Sequence, residues 1–144
     1  MSHEEIKGPE KINLRLLVAD DDPAILRILK LLLGRRYSSV ETVVDGQALM
    51  DKFSALTFNA EFIITDNTMP GMSGIEAIRK IRETNTTIPI ILYTTDTDRS
   101  LGPAARDLGA FLLSKPAEIN VLYNLIDKLR IKTDDPSESE SSAA

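Results

Sequence analysis

Five ionisable or hydroxyl-bearing residues stand directly after short apolar runs. Asp20 and Asp21 follow LRLLVA, Asp66 follows FIIT, Thr94 follows IPIILY and Lys115 follows AFLLS. If those runs are strands of one open parallel sheet, the residues meet on the rim outside the strands' carboxyl ends, where such sheets bind ligands. Three carboxylates crowded there raise one another's proton affinity unless a cation lies among them. An all-oxygen ligand set suits Mg2+, with Mn2+ as a substitute, because Mg2+ takes one or two protein carboxylates and completes its shell with water and phosphate oxygens. A lysine on the same rim adds a second positive group, so the rim carries what a developing phosphoryl charge needs.

The runs do alternate with amphipathic stretches, the rhythm of strand and helix units that build a parallel sheet. Leu14 to Ala19 reads as the first strand. Asp22 then caps a helix with Pro23 at its first position, and Ile25, Ile28, Leu29 and Leu32 repeat at helical spacing. Val40 to Val44 reads as a second strand, followed by a helix that Asp45 and Gly46 open and whose inward stripe is Leu49, Phe53 and Leu56. Phe62 to Thr65 is the third strand, and Ser73 with Glu76 forms a capping box ahead of Ile75, Ile78 and Ile81. Ile88 to Tyr93 is the fourth strand, with Pro89 near its start, and Ala110 to Leu113 the fifth. Between those two, LGPAARDLG predicts a short helix beginning at Pro103, and Val121, Leu122, Leu125, Ile126 and Leu129 mark a last helix.

The chain has 144 residues, 42% hydrophobic and 27% charged, which is one ordinary domain with a core that needs no metal or disulfide for its fold. The absence of cysteine excludes disulfides, thiolate metal sites and cysteine nucleophiles. A net charge of −5 disfavours direct nucleic-acid contact, and the densest basic spot, Arg35 and Arg36, reads as a helix-end dipole partner. No apolar run reaches the roughly 18 residues of a membrane span and the first residues lack a signal-peptide core, so a cytoplasmic location without membrane contact is expected. Residues 1–13 are expected to be a flexible segment, 14–131 the domain, and 132–144 a disordered acidic, Ser-rich tail.

The fragments LLVADDDP, DNTMPGMSG, IPIILYTT and LLSKP, in that order, resemble the receiver domain of bacterial response regulators, the CheY-like module of two-component systems. The resemblance implies a doubly wound (βα)5 flavodoxin-like fold, with a five-stranded parallel sheet in the order 2-1-3-4-5 and helices on both faces. It implies that Asp66 is the phosphoacceptor and that Asp21 and Asp66 are metal ligands. Asp20 completes the acidic pair indirectly, and Thr68 lends its backbone carbonyl. Thr94 would be the switch hydroxyl, Lys115 would bind the phosphoryl group, and Pro116 would hold the turn after a cis Lys115–Pro116 bond.

A sensor histidine kinase, a phosphotransfer protein or a small donor would supply the phosphoryl group. The protein would catalyse only its own phosphorylation and dephosphorylation and would signal through a protein-binding surface. An unidentified downstream protein, or a second copy docking on the face of helix four, strand five and helix five, would read it. No output domain is recognisable after residue 131, so a stand-alone regulator is expected.

Three features depart from the family pattern: Thr95, where a small residue is usual and slower exchange with water follows; Leu112, at the switch-aromatic position, with Phe111 beside it in an interval one residue short; and the short fourth helix. Two other readings compete. A haloacid-dehalogenase-type phosphohydrolase would use Asp20 and Asp22 as a DxD pair, and a pseudo-receiver would bind partners without being phosphorylated. Asp22 and Asp45 read as helix caps, Met69 and Met72 as loop packing, His3 as a tail residue, and Ser137, Ser139, Ser141 and Ser142 as part of a solvating tail.

Overall fold

The computed structural model describes residues 10–134, with side chains described to residue 131; His3, the four tail serines and most of the two expected terminal segments lie outside that range. The elements are β1 (Ile12–Ala19), α1 (Pro23–Gly34), β2 (Tyr37–Val43), α2 (Gly46–Ser54), β3 (Phe62–Thr65), α3 (Gly74–Thr84), β4 (Ile90–Thr94), α4 (Leu101–Asp107), β5 (Phe111–Ser114) and α5 (Ile119–Asp134). The five strands are parallel and lie in the order β2-β1-β3-β4-β5, as the resemblance implied. Successive side chains of a strand point to opposite faces, which divides the core in two. Leu16, Val18, Phe62 and Ile64 pack with Leu26, Leu29 and Leu33 of α1 and with Leu122 and Ile126 of α5. Leu17, Ala19 and Ile63 face the other way, onto Leu49 of α2, the isoleucines of α3, and Leu101 and Ala105 of α4.

Local signals account for most boundaries. The Asp22 side chain accepts from Ala24 N at 2.9 Å with Pro23 at the first helical position, and Asp45 accepts from Ala48 N at 2.7 Å. The Ser73–Glu76 box closes in both directions, at 2.8 and 3.2 Å, and Ile75, Ile78 and Ile81 are buried. β3 has the predicted limits.

Several expectations need correction. Every position but two from Ile25 to Leu33 is apolar, so helical spacing fits more than one face of α1; the buried set is Leu26, Leu29 and Leu33, and Ile28 is 56% exposed. α2 ends at Ser54, leaving Leu56 beyond it and 94% exposed. β2 starts at Tyr37 and excludes Val44, because pairing with β1 carries two serines that no propensity would place in a strand. β1 likewise begins at Ile12, whose N–H donates to Arg36 O at 2.8 Å, two residues inside the segment expected to be flexible. β4 and β5 are each shifted towards their carboxyl ends, to Ile90–Thr94 and Phe111–Ser114, with Pro89 outside the strand. α4 is short, as expected, but begins at Leu101, since a proline in the first turn lacks only an N–H that has no helical partner there. α5 runs through Asp134, and Val121 on it is exposed.

Arg36 is also more than a dipole partner. Its guanidinium pairs with Asp127 of α5 and lies 5.3 Å from the centre of the Tyr123 ring. The buried Tyr37 hydroxyl donates to Asp127 Oδ1 at 2.8 Å, and Arg130 Nε donates to the same oxygen at 3.1 Å. Burial acts to raise the Asp127 pKa, but its bonds from Arg36, Tyr37 and Arg130 outweigh that and hold it below the ordinary value. A carboxyl depressed in the fold contributes stability that is present above its unfolded pKa, near 3.9, and lost as pH falls through the folded value. Urea unfolding of Asp127→Asn is therefore expected to show lower stability than wild type at pH 7 and a smaller further loss between about pH 5 and pH 2.

Candidate functional site

The chain adds β2 on one side of β1 and then crosses to add β3 on the other, so a crevice opens where β1 and β3 diverge at their carboxyl ends. Asp20 and Asp21 leave β1 at that crevice and Asp66 leaves β3. One carboxylate oxygen from each of the three lies within 4.8 Å of the others. Asp20 is 2% exposed and Asp66 9%, whereas Asp21 faces solvent. Lys115, from the far edge of the sheet, completes the group: its ammonium bonds to Asp20 Oδ2 and lies 3.2 Å from Asp66 Oδ2.

Burial alone would lower the Lys115 pKa, but the bond to Asp20 and the fields of Asp20 and Asp66 outweigh it, and the net shift is upward. The lysine is therefore a fixed cation. Its ammonium also lies 5.5 Å from the centre of the Tyr93 ring. The hydroxyl of that tyrosine accepts from Ala117 N at 3.0 Å, just past the cis Lys115–Pro116 bond.

The remaining acidic valences are held by backbone. Asp22 N donates to Asp20 Oδ1 at 3.0 Å, and Asn67 N and Thr68 N donate to Asp66 Oδ1 at 2.7 and 3.4 Å. One Asp66 oxygen thus faces backbone donors while the other faces the ammonium. Gly74 makes this tight turn possible, because a Cβ there would overlap the Asp66 carbonyl oxygen and lie 3.0 Å from Asn67 Cα. Its N–H donates to Asn67 O at 2.9 Å, so the first residue of α3 sits directly on the loop that presents Asp66.

Thr94 is buried, 1% exposed, and its Oγ1 accepts from Asp96 N at 3.1 Å. Thr95 is exposed. Leu112, at the aromatic position, packs half-buried against the second face of the sheet, and Phe111 is 46% exposed. Met69 is buried in the core and the Met72 backbone abuts Gly46, so both methionines pack the loop.

Two residues that sequence reasoning passed over also belong to the site. Asn67 Oδ1 accepts from Ile75 N at 3.0 Å, and its Nδ2 donates to Asp96 Oδ2 at 3.1 Å. The adjacency of Asn67 to Asp66 was the signal for the first; the second, within TTDTD, had none. Ile25, Ile28 and Leu32 of α1 line an apolar groove that also reaches Thr95 and Lys115.

A family model for the response regulator receiver domain matches residues 16–127. The transcriptional regulatory protein FixJ of Bradyrhizobium diazoefficiens is 31% identical over 129 residues, 89% of this chain and 62% of that protein. The response regulator ArlR of Staphylococcus aureus is 36% identical over 109 residues, 75% of this chain and 48% of ArlR. The chain thus spans about half to three fifths of the length of these curated relatives. Among solved structures, a response regulator receiver domain from Clostridium thermocellum superposes with a TM-score of 0.78 at 26% identity, covering 84% of this chain and 97% of that one. The chemotaxis protein CheY4 of Vibrio cholerae gives 0.73 at 26% identity, covering 82% and 99%.

The clearance at Gly74 is directly measurable. Gly74→Ala is expected to lower unfolding free energy by about 1–3 kcal/mol, as overpacking does. Gly34→Ala, where nothing lies within 4 Å of the added Cβ, should be neutral or stabilising by up to about 1 kcal/mol; urea titration of the two variants compares them.

Proposed function

The chain belongs to the response regulator receiver family, and on that premise we propose that Asp66 accepts a phosphoryl group from a phosphohistidine or a small donor, with Mg2+ bound by Asp21, Asp66 and the Thr68 carbonyl. One observation carries the reading: Lys115 is held between Asp20 and Asp66 in a crevice whose third acid, Asp21, remains open to solvent. An Asp66 oxygen attacks phosphorus, the new P–O bond forms as the bond to the donor breaks, and the leaving nitrogen or oxygen keeps the electron pair. The residues present fit a divalent cation, since three clustered carboxylates face one ammonium. When bound, that ion neutralises phosphoryl oxygen charge.

Backbone N–H groups of Asn67 and Thr68 orient the acceptor carboxylate. Lys115 supplies fixed positive charge for the modified residue. Thr94 offers the hydroxyl that turns towards the phosphoryl group, and Pro116 positions the turn behind the lysine. Leu112 takes no part as a rotating aromatic. Later hydrolysis of the acyl phosphate returns the free carboxylate, so the domain modifies only itself.

The apolar groove along α1 runs up to Thr95 and Lys115, which supports a protein phosphodonor, a sensor kinase or phosphotransfer protein, approaching from that side. Exposed Phe111 on β5 and Val121 on α5 offer apolar surface for a downstream protein or a second copy. Against the phosphohydrolase reading, the Asp22 side chain is spent on capping α1 at Ala24 N and is not turned to the crevice as a DxD pair requires.

Intact mass after incubation with acetyl phosphate and Mg2+ tests the proposal. One phosphoryl mass should appear, vanish in Asp66→Ala and vanish with EDTA. No gain with any donor would favour the pseudo-receiver, and phosphate-monoester hydrolysis lost in Asp20→Ala but kept in Asp66→Ala would favour the phosphohydrolase.

A further inference from the structure

Asp96 lies two residues past Thr94 and outside the three acids clustered for a cation. It is nevertheless fully engaged. Its Oδ2 accepts from Asn67 Nδ2 at 3.1 Å and from Thr68 Oγ1 at 3.5 Å, its Oδ1 accepts from Asp98 N at 3.0 Å, and its own N–H donates to Thr94 Oγ1 at 3.1 Å. Asn67 in turn donates its backbone N–H to Asp66 Oδ1. A continuous chain of bonds therefore runs from the acceptor carboxylate through Asn67 and Asp96 to the buried threonine hydroxyl. Among the described residues, no lysine or arginine forms an ion pair with Asp96. Neutral amide and hydroxyl donors hold its charge, and those on Oδ2 belong to the two residues that follow Asp66.

Resting on the phosphoacceptor reading above, we infer that Asp96 is a positioning residue for phosphorylation: it tethers the loop after β4 to the loop after β3 and keeps the Thr94 hydroxyl in its resting place. A phosphoryl group on Asp66 brings new acceptor oxygens, and a Thr94 hydroxyl that turns to them must leave the Asp96 N–H and strain the bonds that hold Asp96 to Asn67 and Thr68. The tether is then released and the loop carries Thr94 towards the modified aspartate. A ligand that favours the released loop binds more tightly once the tether is gone, because the energy of breaking it is no longer subtracted.

Beryllofluoride with Mg2+, a mimic of the phosphoryl group, provides the test, with binding followed by amide resonances in two-dimensional NMR. Ion-free Asp96→Ala is expected to move the amides of residues 94–98 towards their positions in loaded wild type and to bind beryllofluoride about 5- to 10-fold more tightly, the coupling usual between linked sites. Asp96→Asn keeps the acceptor oxygen and the shape without the charge, so its ion-free spectrum should stay close to wild type while its affinity rises by a smaller factor. Unchanged affinity in both variants overturns the tether. So does weaker binding by Asp96→Ala, the mark of a residue that only supports the loop. Wild type that binds no beryllofluoride overturns the phosphoacceptor reading itself and the inference with it, whereas wild-type binding alongside unmoved amides in Asp96→Ala overturns the inference alone.

Discussion

A single ammonium, drawn in from the edge strand of the sheet, keeps the carboxylates of two inner strands together. Lys115 and Asp20 are almost completely withdrawn from water, with 9% and 3% of their side chains exposed. Taking charges out of water costs several kcal/mol per ion, and attraction offsets that only where geometry and further hydrogen bonds satisfy the remaining lone pairs. Here both conditions hold. The lysine meets two carboxylates, backbone N–H groups take the remaining oxygens, and among the described residues no buried side-chain nitrogen or oxygen lacks a partner.

The rest of the architecture serves that arrangement. The reversal of strand order between β1 and β3 separates their ends enough to leave a crevice, and the parallel sheet brings Lys115 into it from the end of β5 and Thr94 to the same rim at the end of β4. Gly74 lets α3 rest on the Asp66 backbone, and Gly46 does the same for α2 against Met72. The loop that presents Asp66 is thereby fixed between two helix starts, while the loop after β4 is held mainly by side-chain hydrogen bonds from Asn67 and Thr68. The contrast sets a closely packed Asp66 loop beside a loop tethered to it by side-chain hydrogen bonds.

Much of this was legible because it depends on short-range rules. Each acid at a strand end, the Asp22, Asp45 and Ser73 caps, the α3 stripe and the limits of β3 follow from spacing, propensity and capping chemistry within a few residues. The inward face of α1 was not legible because an almost wholly apolar stretch carries no periodic signal, and only the packing of Leu26, Leu29 and Leu33 against the sheet decides it. β2 was read too short because Ser38 and Ser39 join it through pairing with β1, an interaction between segments far apart in the chain.

By itself, then, the sequence determined the alternating elements, the residues delivered to the rim and the family to which their order belongs, because local periodicity and the position of each polar residue after an apolar run suffice for that. Tertiary structure decided which face of α1 is buried, how Arg36, Tyr37 and Asp127 lock α5 to the sheet, and that Asp96 reaches the Asp66 loop through Asn67. The last two outcomes rest on contacts between residues 29 to 91 positions apart, and no pattern within a window of the chain encodes a distance across the fold.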